Sequence, residues 1–165
     1  MQEEKGVIIN GIRWATRNVG APGTFVENPE DYGEYYTWEE AKNACPKGWR
    51  LPAKSEFLSL KQVGSVWTSI NDITGRIFNI VPNQKAARFR TLLVGIASEQ
   101  IFFPAGGWYV SDDETLIDVG IFGGYWGSTR HSINLAIGLR FLCNSVNTDW
   151  YWQERRLFVR CVAEN

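Results

Sequence analysis

The side chains with the widest chemical reach are one histidine, three cysteines, and a set of aromatic, basic and amide residues in the C-terminal half. His131 lies in the polar run Ser128-Thr129-Arg130-His131-Ser132. As a general base it would need Cys143 or a serine within reach. The spacing argues for neither partner, so it reads as a surface-loop histidine. Cys45, Cys143 and Cys161 are scattered, and with one histidine they make no zinc pattern. Asp112, Asp113 and Glu114 are hard-cation ligands by type but lack EF-hand spacing, so they read as a solvated turn. Gly106-Gly107 is too short for a phosphate cradle and opens no helix. No catalytic residue, metal or cofactor is expected.

That leaves binding. Function concentrates on loops held by a rigid scaffold, and Trp, Tyr and Arg most often dominate binding energy. The segments around Trp108-Tyr109, Arg130-His131 and Asn147 to Trp152 read as loops and combine these types. The candidate ligand-binding residues are Trp108, Tyr109, Arg130, His131, Asn134, Asn144, Asn147, Asp149, Trp150, Tyr151 and Trp152. Alternation along Trp150-Tyr151-Trp152 leaves two arrangements open. Either both tryptophans pack inward and Tyr151 is exposed, or the tryptophans form a stacking platform.

Two short helices stand out among the elements that must hold these residues. Thr37 followed by Glu40 is a capping box. The helix over 38–45 then carries Trp38, Ala41, Ala44 and Cys45 on one stripe, and Pro46 and Gly48 stop it. Lys54 to Gln62 reads as a second helix with Phe57, Leu58 and Leu60 inward.

The rest reads as strands and loops. Asn10-Gly11 between apolar runs predicts a hairpin. Ala15 to Glu34 is Gly-, Pro- and Asn-rich, hence surface loop. Strands are predicted at 65–70, 76–80, 92–96, 100–103, 119–126, 133–141 and 157–162. Turns or loops are predicted at 71–75, 82–90, 105–108, 111–114 and 143–156.

Composition bounds the classes. At 165 residues the chain reads as one domain over 1–165, large enough for a real core. Apolar residues reach 44% and charged residues 21%, which suits a globular chain. With 17 basic and 18 acidic residues and no basic stripe, nucleic acid is not an expected partner. No segment has the roughly 18 apolar residues of a membrane span. Met1 to Lys5 has no apolar h-region, so the start reads as a mature N-terminus with an added Met.

Six stretches, in order, resemble the Fibrobacter succinogenes major paralogous domain family of gut Bacteroidetes. They are Trp14 to Ala21, Pro29 to Trp38, Trp49 to Phe57, Phe102 to Gly107, Gly124 to Thr129 and Val159 to Val162. The resemblance implies an α+β, C-type lectin-like fold: two short helices, small mixed or antiparallel sheets and long loops. It also implies a ligand at the C-terminal loops, and a secreted or cell-surface protein. A cytoplasmic or phage-encoded protein is the alternative. Where many relatives read Trp-Ser-Ser, this chain reads Trp126-Gly127-Ser128. The Glu-Pro-Asn or Gln-Pro-Asp and Trp-Asn-Asp strings of calcium-dependent sugar-binding lectins do not occur, so that route to carbohydrate is not expected.

In lectin-like domains a cysteine ending the first helix pairs with one on the last strand, which implies a Cys45–Cys161 bridge. The alternative is two reduced, buried thiols. Cys143 reads as a small buried hydrophobe, the other reading being a reactive thiol. The expected function is non-enzymatic recognition of a glycan or a protein. Two alternatives carry over from the same fold. One is a diversity-generating retroelement variable protein, with variation at Asn134, Asn144, Ser145, Asn147 and Thr148. The other is a formylglycine-generating-type enzyme, whose reactive cysteine pair has no counterpart here.

Overall fold

The computed structural model describes residues 3–80, 96, 98–110 and 115–165. The strand expected at 92–96, the loop at 82–90 and the acidic turn at 111–114 lie outside the described residues, except Ile96.

Strands β1 (Val7–Ile9) and β2 (Ile12–Trp14) form the hairpin that Asn10-Gly11 predicts. Both turn residues take positive φ, at 54° and 81°, the geometry that matches the right-handed strand twist. Helix α1 covers only Trp38–Ala41. Its capping box is complete: Thr37 Oγ1 accepts from Glu40 N, and Glu40 Oε1 accepts from Thr37 N. Residues 42–44 continue as turns rather than helix, still burying Ala44.

A short strand β3 (Trp49–Arg50) leads into α2 (Lys54–Gln62). Phe57 and Leu60 are buried, three apart on one face, but Leu58 points to solvent, against the expectation. Glu56 holds the entry to α2 from two sides. It accepts from Ala53 N and takes both Arg50 Nη1 and Nη2 at 2.8 Å, a fork on carboxylate.

Strands β4 (Ser65–Ile70) and β5 (Ile73–Phe78) close around Asn71-Asp72, both at positive φ. The turn is therefore two residues, not 71–75. Strand β6 (Ile101–Pro104) joins them in a three-stranded sheet, β4-β5-β6.

Residues 105–108 were expected as loop, yet Gly106–Val110 is strand β7, paired with β8 (Thr115–Val119). Residues 119–126 split between the end of β8, a turn, and β9 (Gly123–Arg130). Then follow β10 (Leu135–Leu142) and β11 (Ser145–Trp152). The five-stranded sheet runs β11-β10-β9-β7-β8. The loop expected at 143–156 is thus mostly a strand, entered through Cys143-Asn144. Of 157–162 only Val162 enters a strand, β12 (Val162–Ala163), while Tyr36↔Leu157 and Tyr125↔Phe158 are isolated bridges. The four-stranded sheet is β1-β2-β12-β3, so both ends of the chain meet in it.

Two apolar clusters fill the space between these layers. One gathers Trp14, Phe57, Phe78, Phe103, Tyr125, Phe141 and Phe158; the other Trp38, Phe122, Trp126, Tyr151 and Val159. Arg160, wholly buried, bridges the layers. Its guanidinium donates to Asn18 Oδ1 (2.8 Å), Phe102 O (2.8 Å) and Ala15 O (3.3 Å), and its carbon sits 4.3 Å from the Phe103 ring centre. Burial lowers its pKa to about 10. Cys45 and Cys161 form the expected disulfide, with Cα atoms 6.1 Å apart. Cys143 is exposed rather than buried, because it occupies the β10–β11 turn.

The Trp126-Gly127 departure has a packing reason. A Cβ at Gly127 would meet Ile137 Cγ2 at 2.5 Å, Phe57 Cε2 at 2.8 Å and Pro52 O at 2.9 Å. Glycine lets α2 and its entry lie directly on β9.

Candidate functional site

The end of the β9–β10 hairpin, with the last residues of β11 beside it, carries the largest group of predicted site residues. Register fixes who shares a face: Ile137 lies opposite Trp150, Ala136 opposite Tyr151 and Leu135 opposite Trp152. Successive residues alternate sides, so Trp150 and Trp152 face the α2 side while Tyr151 faces the other. Tyr151 is 9% exposed and packs edge-on against Trp108 (5.4 Å) and Trp126 (6.4 Å). Burial raises its pKa. Trp152 is 47% exposed. The tryptophans therefore do not both pack inward, and the residue that does is Tyr151.

Trp150 contacts two groups. The His131 ring stacks on it at 4.4 Å between centres and 26° between planes, and Lys54 Nζ lies 5.1 Å from its ring centre. Lys54 opens α2, and its backbone N–H donates to Thr129 Oγ1 on β9 at 3.0 Å. The hairpin turn is held by its own polar groups. Arg130 Nε donates to Ser132 O, and the Asn134 N–H to Ser132 Oγ. Gln153 Nε2 reaches both Ser132 O and Leu135 O at 3.2 Å. Ile133, at the tip, is exposed. His131, Lys54, Trp150 and Trp152 thus share the α2 side, while Arg130, opposite Ala136 and hence Tyr151 in register, starts from the other face, and Asn134 lies in the turn between β9 and β10.

The remaining predicted residues go elsewhere. Trp108 lies on the far face of the five-stranded sheet, tilted against Phe122 at 5.2 Å between ring centres, with the Arg155 guanidinium carbon 5.2 Å from its ring. Its indole N–H is buried without an acceptor among the described residues. Asp149 shares the Tyr151 face, accepts from Trp150 N and meets Arg140 at 3.6 Å. Tyr109 points away from Trp108, toward Tyr35. Asn147 accepts from Lys61 Nζ at 3.0 Å. Asn144 sits in the β10–β11 turn, at the other end of an eight-residue strand, about 25 Å from the hairpin tip. Cys143 shares that far turn, so it cannot pair with His131.

Among the described residues no three His, Cys, Asp or Glu side chains gather as metal ligands. No described helix is long and apolar enough to cross a membrane. Lys54 was missed by sequence reasoning, because nothing along the chain marks a helix-opening lysine as the neighbour of a distant tryptophan.

A family model, the Fibrobacter succinogenes major domain, matches residues 10–163. The chain belongs to this family. No curated protein and no solved structure matches it. The match spans all of the quoted motifs, and the structure explains several family positions as architecture. The Arg50–Glu56 fork holds the entry to α2, Arg160 closes the core and Cys161 carries the disulfide. None of these reaches the hairpin tip.

Proposed function

We propose that this family member is a non-enzymatic recognition module with a C-type lectin-like fold, part of a surface or secreted protein. It binds a glycan or a protein at the β9–β10 tip. The observation that carries this reading is Trp150, stacked on His131 and near Lys54, beside the exposed Trp152. A stacked, pre-oriented indole next to a free one offers apolar contact area at little ordering cost. Arg130 and Asn134 supply polar groups at the turn of the same hairpin. The two meeting chain ends and the pair of short helices against layered sheets support the lectin-like assignment. Separation of His131 from Cys143 supports recognition over thiol chemistry.

The test is a glycan and protein array probed with the purified domain. Binding that Trp150→Ala and Trp152→Ala both weaken, with the fold retained, supports the reading. Hits unaffected by either variant, or turnover of a thiol-containing peptide, overturn it.

A further inference from the structure

We propose a second ligand site, a cleft of about 510 Å³ beside β7 lined by Gly33, Glu34, Tyr35, Tyr109 and Arg156, which takes the uncharged ring of a sugar. This goes beyond the hairpin-tip reading and does not rest on it.

The walls are built, not loose. Tyr109 and Arg156 exchange backbone hydrogen bonds in both directions, at 3.1 and 3.3 Å. The Tyr35 hydroxyl donates to Gly106 O at 2.8 Å, which fixes its ring, and Tyr109 meets that ring edge-on at 4.9 Å between centres. Burial and the neighbouring tyrosines raise the Tyr35 pKa to about 12, so its proton stays in place. Gly33 turns the chain into the cleft at φ 78°, where a Cβ would run into Val19 O at 2.2 Å.

The unused valences define the ligand. Tyr109 carries a hydroxyl and Glu34 a carboxylate with no side-chain partner among the described residues. Arg156 presents five N–H donors, of which Nη1 is engaged by Glu40 at 3.0 Å. Donors, acceptors and two aromatic rings therefore line one concavity. Glu40 balances Arg156, so an anion finds no net positive charge, while the remaining N–H donors of Arg156 call for acceptor oxygens that a bare cation lacks. The single lining carboxylate is too few for a hard-cation site. A sugar ring matches what remains: C–H groups against the tyrosines, and hydroxyls that both donate to Glu34 and accept from Arg156.

The experiment is amide ¹⁵N–¹H spectroscopy of the full chain. Probes are glucose, galactose, mannose, xylose and N-acetylglucosamine, with sodium acetate and tetramethylammonium chloride as charged comparisons. At least one neutral sugar is expected to shift the amides of Gly33 to Tyr35, Tyr109 and Arg156 saturably, with or without EDTA. Tyr109→Ala should weaken that binding by about tenfold. Glu34→Gln, an exposed change that leaves the fold alone, should weaken it severalfold. The proposal fails if no neutral sugar shifts these amides, or if only acetate or tetramethylammonium does. It also fails if the sugars shift His131 and Trp150 instead, a result that would favour the hairpin tip.

Discussion

Two cation–aromatic contacts in this protein look alike and do different work. Arg160 lies 4.3 Å from the Phe103 ring, and Lys54 Nζ lies 5.1 Å from the Trp150 ring. Arg160 is fully buried and its guanidinium donates to three acceptors from two segments of chain. The half-buried Lys54 ammonium donates to no acceptor among the described residues. Ring geometry alone does not separate architecture from recognition. Burial and the number of unengaged nitrogens do: a cation bonded at every nitrogen, saturated in that sense, closes a core, while one with a free head group can still meet a ligand.

The closed side is broken hardest at its covalent neighbour. Cys45 and Cys161 are 116 residues apart, so reduction frees a very long loop in the unfolded chain. In the chain-entropy model that costs about 4 to 5 kcal/mol. Urea unfolding with and without reductant should show this as a large fall in midpoint. An unchanged midpoint would place the closure of the chain ends on the Arg160 network alone.

Arg160→Met tests that network. The replacement keeps an unbranched apolar stem and removes every donor, leaving Asn18 Oδ1, Ala15 O and Phe102 O unmatched. A loss of about 3 kcal/mol is expected, since each buried unsatisfied acceptor costs of order 1 kcal/mol or more. Lys54→Met, on the open side, should change stability by less than about 1 kcal/mol. Equal losses in the two variants would dissolve the distinction between saturated and open cations.

How much of this was legible along the chain depends on where information is local. The Asn10-Gly11 hairpin, the Thr37–Glu40 cap and α2 rest on neighbours a few residues apart, and they are where the residues say. Strand β7 hid behind Gly106-Gly107, because glycines that let Phe158 and the β8 backbone approach closely resemble a turn in one dimension. Strand β11 hid because it is an edge strand. One flank of it is unpaired within the sheet, so Asn147, Thr148 and Asp149 are tolerated where a central strand would be apolar. The same error moved the site. Read as a loop, 147–152 gave one surface; as a strand, it sends Tyr151 to the core and Trp150 and Trp152 to the opposite face. The His131–Trp150–Lys54 stack is wholly non-local, and no spacing announces it.

A third test lies between the two extremes, at the half-buried Arg50–Glu56 fork. Hydrogen bonds from Arg50 hold the Glu56 carboxyl below the usual carboxylate range. The native state therefore binds its proton less readily than the unfolded chain. The fork's stabilisation is full above the unfolded pKa and is lost as pH falls through the lower native value. Glu56→Gln should cost about 1 to 2 kcal/mol at neutral pH. That difference should fade as pH drops from about 5 toward 2. A gap that persists undiminished in acid would mean that packing, not charge, ties α2 to β3.

The smallest stability effect is expected where the largest binding effect lies. Trp152 is nearly half exposed and makes no ring contact among the described residues, so Trp152→Ala should stay within about 0.5 kcal/mol of the parent. Trp150→Ala removes the His131 stack and the Lys54 contact, for about 1 kcal/mol. Tyr151→Ala, although adjacent, should cost about 3 kcal/mol or more, because it empties a buried aromatic site against Trp108 and Trp126. Thermal melts of the three variants therefore rank Tyr151 far above its neighbours. Against any ligand found on the array, the order should invert: Trp150→Ala and Trp152→Ala lose about tenfold or more in affinity while remaining folded. If all three variants track stability alone, the hairpin tip belongs with Arg160 on the architectural side, and the open cation at Lys54 has no ligand to meet.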